Sequence, residues 1–373
     1  METKLSPMPE AAMYGVLASK AREMGSPLGL AYPALLAAAS ASVSDHLKYE
    51  IRSSIYCALL GAVHAGKTET KKRSVQTIGL TSEEIINKTP SSDRGLIKLI
   101  NGKKRTDLGT NFLLNLDEMR AMLEKININS STLVDVLDEL WSSNCAGGAD
   151  KKDEFEATAH LSVLGNVKCA SPEEFAEIFT QATSKGLFDR FIFGIGEGFE
   201  WKPVTLKPIQ RPVGLFCAKP DELNFEAFLE RSLAWARAGD DRGRLREYAH
   251  RVAHVSSAVS GEPLSMSSLD AALRFMEWQE QIRAIYKASE ARNDDAQLTE
   301  AFLLAMEQCR SRSVEWVKLR DLARKRHWYE KYGAPACQRV VVALAGQKIV
   351  EFKKVALPNG GTESWWVRPA EEE

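Results

Sequence analysis

The segment from Gly61 to Thr68 reads Gly-Ala-Val-His-Ala-Gly-Lys-Thr and matches the phosphate-binding pattern GxxxxGK[ST]. It follows an apolar run, residues 55–60, that has the composition of a buried strand. Gly61 and Gly66 let the backbone curl until its N–H groups face phosphate oxygens, and Lys67 neutralises the β- and γ-phosphates. The sequence therefore predicts a nucleoside-triphosphate site, with ATP as the ligand.

A candidate metal and water site follows further along the chain. Residues 111–116 form a second apolar run, which leads directly into Asp117 and Glu118. An aspartate at this place holds Mg²⁺ together with the hydroxyl of Thr68, and the adjacent glutamate polarises an attacking water. This pairing favours a hydrolase over a kinase, and the alternative is an acidic strand end at a helix N-terminus.

Two polar residues are candidates for contacts with the γ-phosphate. Asn166 ends a third apolar run, residues 161–165, where its amide would position water, and a turn asparagine is the alternative. Arg251 lies in a predicted helical lid and would contact the γ-phosphate from the other side. An exposed helix arginine is the alternative for Arg251.

Arg190 is a candidate for a residue that acts between subunits. It lies in the segment Gly186-Leu187-Phe188-Asp189-Arg190-Phe191, next to a predicted strand. An arginine there would reach a neighbouring subunit's nucleotide and stabilise charge in the transition state. A local ion pair with Asp189 or Asp93 is the alternative.

Composition sets the class of protein. The chain has 373 residues, 44% of them hydrophobic and 27% charged, and a net charge of −1, which excludes a uniformly basic nucleic-acid binder. Its six cysteines are scattered without a CxxC pair and no signal peptide opens the chain, so we expect a cytoplasmic protein. Residues 28–43 are too short for a bilayer and predict a buried helix, so no membrane partner is expected.

Alternating strands and helices predict an α/β fold, with a P-loop NTPase core of the AAA or helicase type built on a parallel sheet. Four regions are expected. Residues 1–50 form a leading helical segment, 51–215 the ATPase core, 216–311 a helical lid or bundle, and 312–373 a basic module that resembles a winged helix.

The basic module predicts DNA binding. Residues 314–354 contain ten Lys or Arg against four Asp or Glu. Two helices, 314–328 and 334–345, precede a hairpin of residues 348–355 and 364–367 joined through 358–361, which is the order of a winged helix. Its second helix offers few base-reading side chains, chiefly Gln338 and Arg339, so weak sequence preference is expected. A solvated charged surface on an oligomerisation domain is the alternative.

Two adjacent tryptophans, Trp365 and Trp366, lie in the last predicted strand of this module. We interpret them as one core and one surface residue, because neighbouring strand positions point to opposite faces. They are not expected to form a stacking platform.

The phosphate loop, the Asp117-Glu118 strand end and the Gly-Leu-x-x-Arg-Phe turn at 186–191 together resemble one family. It is the primase-helicase-like P-loop ATPase family of bacterial and phage mobile elements, and the resemblance spans residues 10–290. Family members usually carry Gly, Pro or Ser where this chain has Val63 and His64. The resemblance implies an oligomeric motor with Lys67, Thr68, Asp117 and Glu118 at the nucleotide and Arg190 acting across subunits.

These observations favour an ATP-hydrolysing DNA motor. The form expected is a ring, such as a hexamer, that serves as a replicative helicase or replication-initiation ATPase of a mobile element and binds single-stranded or duplex DNA. The alternative is a regulatory ATPase switch, or a DNA-binding assembly factor, that holds DNA without unwinding it. A small-molecule kinase is disfavoured because Glu118 follows Asp117 directly.

Overall fold

The computed structural model describes most of the chain as two compact units, Met1–Ala288 and Ser289–Glu373. The predicted turn at 358–361 lies outside the described residues. The described residues are 5–43, 51–103, 110–126, 132–149, 154–169, 171–172, 174–176, 178–179, 186–196, 200, 202–212, 214–217, 224–239, 242–286, 294–311, 316–355 and 364–370.

The first unit is built on a parallel sheet. Its strands are β1 Tyr56–Gly61, β2 Ile85–Ile86, β3 Asn111–Leu116, β4 Cys145–Ala149, β5 Glu154–Thr158, β6 His160–Lys168 and β7 Phe191–Ile195. Five of these form one sheet in the order β2-β3-β6-β1-β7, with every neighbouring pair parallel. β4 and β5 form a separate antiparallel pair. The prediction of an α/β fold with a parallel sheet is confirmed.

Helices cover this sheet. They are α1 Gly15–Glu23, α2 Leu28–Ser40, α3 Lys67–Ile78, α4 Asp93–Asn101, α5 Arg120–Ile126, α6 Leu133–Ser143, α7 Phe225–Arg237, α8 Gly243–Ser260 and α9 Met266–Ile285. α2 packs against α3 and β7 and is buried from Gly29 to Ser40, as expected of a helix that is apolar on all sides. Across the described part of the chain, no helix combines the length and apolarity needed to cross a bilayer.

The outer edge of β7 is closed by a side chain. Gln279 of α9 is fully buried, its Nε2 donates to the carbonyl oxygen of Phe193 at 2.8 Å, and its Oε1 accepts from the Phe193 amide at 2.7 Å. One glutamine thus satisfies the N–H and the C=O of Phe193, as a further strand would, and so covers part of the open edge.

The units divide at a different residue from the regions predicted. α7, α8 and α9 share one hydrophobic core with the sheet, and the ring of Phe275 in α9 meets Tyr32 of α2 edge-on at 5.5 Å between centroids. The boundary falls after residue 288, whereas the sequence predicts a lid that continues to 311. The helix that follows, α10 Asp294–Ser311, places Leu298 and Phe302 in the core of the second unit.

The second unit continues from α10 with short helices and a small sheet. Its remaining elements are β8 Val317–Lys318, α11 Leu319–Lys325, α12 Trp328–Lys331, α13 Ala334–Gly346, β9 Val350–Val355 and β10 Ser364–Pro369. The three strands form an antiparallel sheet in the order β8-β10-β9. The predicted helix over 314–328 is wrong in part, because Val317 and Lys318 pair with β10 and the chain becomes helical only at Leu319. Val317 packs on the core while Lys318 is exposed, an alternation that suits a strand.

Gly29 permits the closest approach of α2 to the sheet. A Cβ atom at this position would lie 2.3 Å from the carbonyl oxygen of Ile195 in β7. We expect Gly29→Ala to lower the free energy of unfolding by about 1–3 kcal/mol, because backbone must move to accept the methyl group. Urea unfolding of the full chain measures the change.

The matched control is Gly243→Ala in the first turn of α8, where a Cβ would have open space around it. Its stability should equal or slightly exceed that of the wild type. A Gly29→Ala protein as stable as the control would contradict the close packing of α2 on β7.

Candidate functional site

The carboxyl ends of three neighbouring strands meet at one edge of the parallel sheet. β1 ends at Gly61, β3 runs into Asp117, and β6 ends with Asn166 and Lys168. Because β6 lies between β1 and β3, Lys168 stands beside Gly61 and Gly165 stands beside Leu116. Polar residues from three segments distant in sequence are therefore brought together at this edge.

The loop between β1 and α3 requires its two glycines. Gly61 has a φ of 151° and Gly66 a φ of 82°, backbone conformations that side chains with a Cβ rarely adopt. A Cβ at Gly61 would also lie 2.9 Å from the Cβ of Ala65. His64 adopts a left-handed φ of 67° without being glycine, which costs about 1–2 kcal/mol.

The loop forms one wall of a cavity of about 620 Å³. The free amides of the first turn of α3 and the positive end of its dipole lie at this wall, a combination that favours anions. The residues that line the cavity are Val63, His64, Ala65, Gly66, Lys67, Thr68, Glu69, Asp117, Glu118, Asn166 and Lys168.

Lys67 is folded back onto its own loop. Its Nζ donates to the carbonyl oxygens of Gly61 at 2.5 Å and Ala62 at 2.6 Å. Burial lowers the pKa of the Lys67 ammonium, and the negative charge of Glu118 partly opposes this lowering. An anion that approached the loop would therefore find a desolvated cation held only by carbonyl oxygens.

Thr68 and Asn166 are joined by a hydrogen bond. The Asn166 Nδ2 donates to the Thr68 Oγ1 at 3.2 Å, which connects β6 to the start of α3. Asn166 is only 3% exposed, and its Oδ1 is buried with no hydrogen-bond partner among the residues that the structure describes. A buried amide oxygen without a partner costs free energy. This atom is therefore suited to accept a hydrogen bond from a water or ligand in the cavity.

Asp117 is held by a lysine that the sequence reasoning missed. The Lys71 Nζ lies 2.5 Å from the Asp117 Oδ1, and the Lys71 side chain is 4% exposed while that of Asp117 is 92% exposed. Burial lowers the pKa of Lys71, and its hydrogen bond to Asp117 opposes the effect. Lys71 lies one helical turn after Lys67, so the i to i+4 spacing alone could have indicated that both face the same side of α3.

The donor set suits Mg²⁺. Mg²⁺ prefers oxygen ligands and takes only one or two carboxylates from the protein, with water and substrate phosphates completing its shell. Thr68 and Asp117 line the same cavity, and so does Asn166, whose buried Oδ1 has no hydrogen-bond partner among the described residues. These residues fit the metal that the sequence predicts at Thr68 and Asp117.

Glu118 is exposed and lines the cavity beside Asp117. Its Oε1 accepts a hydrogen bond from the backbone amide of Arg120 at 3.1 Å, at the start of α5. This contact fixes one carboxylate oxygen to the protein. The other oxygen is the one suited to contact a water in the cavity.

The structure does not bring Arg190 to this cavity. Arg190 precedes β7 at the amino edge of the sheet, where its Nη1 lies 3.0 Å from the Asp138 Oδ2 and donates to the carbonyl oxygen of Gly186 at 2.7 Å. Burial raises the pKa of Asp138 to about 6, and Arg190 acts in the opposite direction. Arg190 thus forms an ion pair within its own chain, but the partner is Asp138 and neither Asp189 nor Asp93.

Arg251 also lies at the amino edge. Its side chain is 2% exposed, donates to the carbonyl oxygen of Ser54 at 2.9 Å, and lies over the ring of Trp141 with 3.5 Å between the guanidinium carbon and the ring centroid. Ser54 precedes β1 and the loop follows it, which separates the two ends by roughly 20 Å of strand. Arg251 is therefore far from the loop and is buried, in contrast to both predictions made for it.

Lys168 is the second residue that the sequence reasoning missed. It is exposed at the end of β6, where it is the register neighbour of Gly61 in β1, and it lines the cavity. The strand order that puts β6 next to β1 is a tertiary feature, so no local sequence signal pointed to Lys168. In the described part of the chain, Lys67 and Lys168 are the lysines that line this cavity.

We expect Asp117→Asn to destabilise the fold, because Lys71 would lose the carboxylate that pairs with its buried ammonium. The pKa of Lys71 in the folded protein would fall further below its pKa in the unfolded chain. The resulting loss of stability is complete below the folded-state pKa, and it disappears as the pH rises to the pKa of the unfolded chain. The free energy of unfolding should fall by about 1–3 kcal/mol at neutral pH and recover more steeply at alkaline pH than in the wild type. Urea unfolding over a series of pH values measures both effects.

The double variant Asp117→Asn with Lys71→Met is the control, since it removes the titrating group and should remove the steeper alkaline recovery. Equal pH dependence in Asp117→Asn and wild type would contradict the ion pair.

Comparison with protein-family models gives no match for this chain, and comparison with curated proteins gives none either. The resemblance seen in the motifs stays a prediction. What the cavity can do follows from its own residues: it can hold an anion at the loop and a divalent cation at Thr68 and Asp117, with Glu118 beside both.

Proposed function

We propose that this chain is an Mg²⁺-dependent ATP hydrolase of the P-loop class. One observation carries the proposal: a loop with Lys67 and Thr68, an Asp117-Glu118 strand end and the unpartnered amide of Asn166 line one cavity. Each of these groups suits a different part of a metal-bound triphosphate and its attacking water. A cavity formed by chance at three strand ends would not be expected to contain all of these groups.

The strand order supports the proposal. After β1 the chain builds β2 and β3 on one side, returns through β6 beside β1, and then places β7 on the other side. Ligands of open parallel sheets bind at the carboxyl edge, where connections leave in opposite directions. The loop after β1 lies at that place.

Each group that lines the cavity has its own part in the proposed hydrolysis. The loop amides and the N-terminus of α3 bind the phosphates, and Lys67 exchanges its bonds to the Gly61 and Ala62 carbonyls for phosphate oxygens. Mg²⁺, when bound, neutralises charge on the phosphates. Glu118 accepts a proton from the attacking water and orients it, and Asn166 Oδ1 accepts a second hydrogen bond from that water.

Asp117 would hold the metal through water, and Lys71 sets the position of its carboxylate. The ion pair of 2.5 Å occupies one oxygen and leaves the other towards the cavity. Lys71 is therefore a positioning residue in this scheme. The buried charge of its ammonium keeps Asp117 oriented before any ligand arrives.

We propose further that hydrolysis serves a DNA motor of a mobile element, acting as an oligomeric ring. The support is the order of elements in the second unit. There α10, β8, α11, α13, β9 and β10 follow one another along the chain, which is the order of helices and strands in a winged helix. The alternative is a regulatory switch that holds DNA without unwinding it. DNA-stimulated turnover with strand separation supports the motor, and turnover indifferent to DNA supports the switch.

Arg190 is retained in this proposal as a residue of a subunit interface. To contact a neighbouring nucleotide it would have to leave Asp138 and Gly186, so assembly would have to break an ion pair that is mostly buried. An Arg190→Ala protein that assembles and hydrolyses ATP at the wild-type rate would remove this role.

Glu118→Gln tests hydrolysis directly. The amide cannot accept the proton of the attacking water, so kcat should fall by at least about 100-fold while ATP affinity changes little. ATPase rates with and without single-stranded and duplex DNA, together with mass by light scattering, measure turnover and assembly. Lys67→Ala is the companion variant and should lose ATP binding. Unchanged turnover in Lys67→Ala would contradict the nucleotide site.

Lys168→Ala tests the second cation of the cavity. Because Lys168 stands beside the loop with no described partner in the cavity, we expect it to contact the terminal phosphate. ATP affinity should fall about tenfold and ADP affinity much less, which a titration with fluorescent nucleotides measures. Lys202→Ala, at an exposed lysine outside the cavity, is the control. Equal losses for ATP and ADP would contradict a terminal-phosphate contact.

A further inference from the structure

The sheet of the second unit has two different faces. The inner face carries Val317, Val350, Phe352, Trp365 and Val367, which belong to the hydrophobic core or pack against it. Trp365 and Phe352 stack with 5.2 Å between ring centroids and 9° between planes. The sequence predicts one core and one surface residue in the tryptophan pair, and Trp365 is the one that packs against the core.

The opposite face, here called the outer face, is defined by Trp316, Lys318, Lys353, Trp366 and Arg368. Trp366 is paired in register with both Lys318 of β8 and Lys353 of β9, so these three side chains share one side of the sheet. Arg368 lies two residues further along β10 and therefore on the same side.

The two tryptophans of the outer face are half-buried and stand apart from the core. Neither Trp316 nor Trp366 belongs to the hydrophobic cluster that holds this unit together. An indole ring on a sheet surface outside the core contributes little to folding and is available for a ligand. Trp316 was not considered in the sequence reasoning, because only the pairing of β8 with β10 brings its segment to this face.

Cations lie against both rings. The Lys353 Nζ is 4.1 Å and the Arg368 guanidinium carbon 5.0 Å from the centroid of Trp316, and the Lys318 Nζ is 5.1 Å from the centroid of Trp366. Arg368 is also paired with Glu351 of β9 at 2.8 Å, so the outer face carries one carboxylate beside its cations. Lys318 and Lys353 are exposed, and such exposed cation–π contacts are weak enough to be exchanged for a ligand.

The helix that a winged helix would insert into a groove is poorly suited to reading bases. The exposed side of α13 carries Arg339 together with Val342, which is 50% exposed, and Ala343, while Gln338 is half-buried. Apolar side chains without donors contact few base edges, and one arginine fixes little sequence. The aromatic and cationic side chains that suit nucleic acid lie on the outer face instead.

We propose that the outer face binds single-stranded nucleic acid. Unpaired bases stack on Trp316 and Trp366, and Lys318, Lys353 and Arg368 pair with the phosphates between them. Alternating aromatic and cationic groups are the combination that binds single strands with little sequence preference, because every base presents a π-face. The inference rests on the DNA binding proposed for this unit, and it does not depend on the ATP site.

The test uses the full chain without nucleotide. Fluorescein-labelled oligothymidylate and oligouridylate of about 16 nucleotides, and a DNA duplex of the same length, are titrated with protein and followed by anisotropy. Trp366→Leu should weaken binding of the single strands about tenfold, whereas Trp366→Phe, which keeps an aromatic plane, should bind nearly as well as the wild type. Comparing the thymidylate and uridylate arms distinguishes DNA from RNA as the natural strand.

Two further variants separate stacking from general charge and from the helix. Lys353→Ala, at an exposed residue, should reduce the slope of log Kd against log salt by about 0.7 for one lost phosphate contact. Arg339→Ala in α13 is the control and should leave single-strand binding unchanged. Stacking should also quench tryptophan fluorescence in the wild type, and less in Trp366→Phe.

Three results would overturn the inference. If Trp366→Leu and Lys353→Ala bind single strands as the wild type does while Arg339→Ala loses binding, the helix is the binding surface and DNA binding by the unit stands. If Trp366→Leu alters only the mass measured by light scattering, the outer face joins copies of the chain. If the wild type binds no nucleic acid, the inference and the DNA part of the proposed function both fail, and ATP hydrolysis is unaffected.

Discussion

The pairing of β6 between β1 and β3 is the constraint on which the site depends. It sets Asn166 and Lys168 beside the loop that follows β1, and it brings the end of β3 within reach of the same cavity. The hydrogen bond from Asn166 to Thr68 fastens this arrangement to the first turn of α3. A shift of β6 by one residue would turn the side chains of Asn166 and Lys168 to the other face of the sheet.

The buried cations at the two edges of the sheet have different partners. At the carboxyl edge, Lys67 lines the cavity and contacts carbonyl oxygens of its own loop, whereas Lys71 pairs with the exposed carboxylate of Asp117. At the amino edge, Arg190 pairs with Asp138, and Arg251 donates to the carbonyl oxygen of Ser54 and lies over the ring of Trp141. A buried cation that is held only by carbonyl oxygens, as Lys67 is, favours an anionic ligand.

Much of the candidate site could be predicted because its residues are coded locally. The GxxxxGK[ST] pattern needs only consecutive residues, and Asp117 and Glu118 directly follow an apolar run, so strand ends located them. Arg190 and Arg251 could not be placed in this way. Their partners Asp138, Ser54 and Trp141 are distant in sequence, and an arginine in a polar-looking turn or helix gives no sign of burial. Lys168 and Trp316 were missed for the same reason, since strand order and pairing bring them to their places. The expectation that Trp366 forms no stacking platform was made without the pairing that puts Lys318 and Lys353 beside it.

The most direct test of the central claim is amide hydrogen exchange of the full chain with and without Mg²⁺ and a non-hydrolysable ATP analogue. We expect slower exchange at the amides of residues 62–68 and the first turn of α3, with smaller changes near Asp117, since these groups would contact the phosphates and metal. The helix of Arg251 should show no direct protection. Unchanged exchange in the loop at saturating analogue, or protection confined to other regions, would contradict a triphosphate site at Gly61–Thr68.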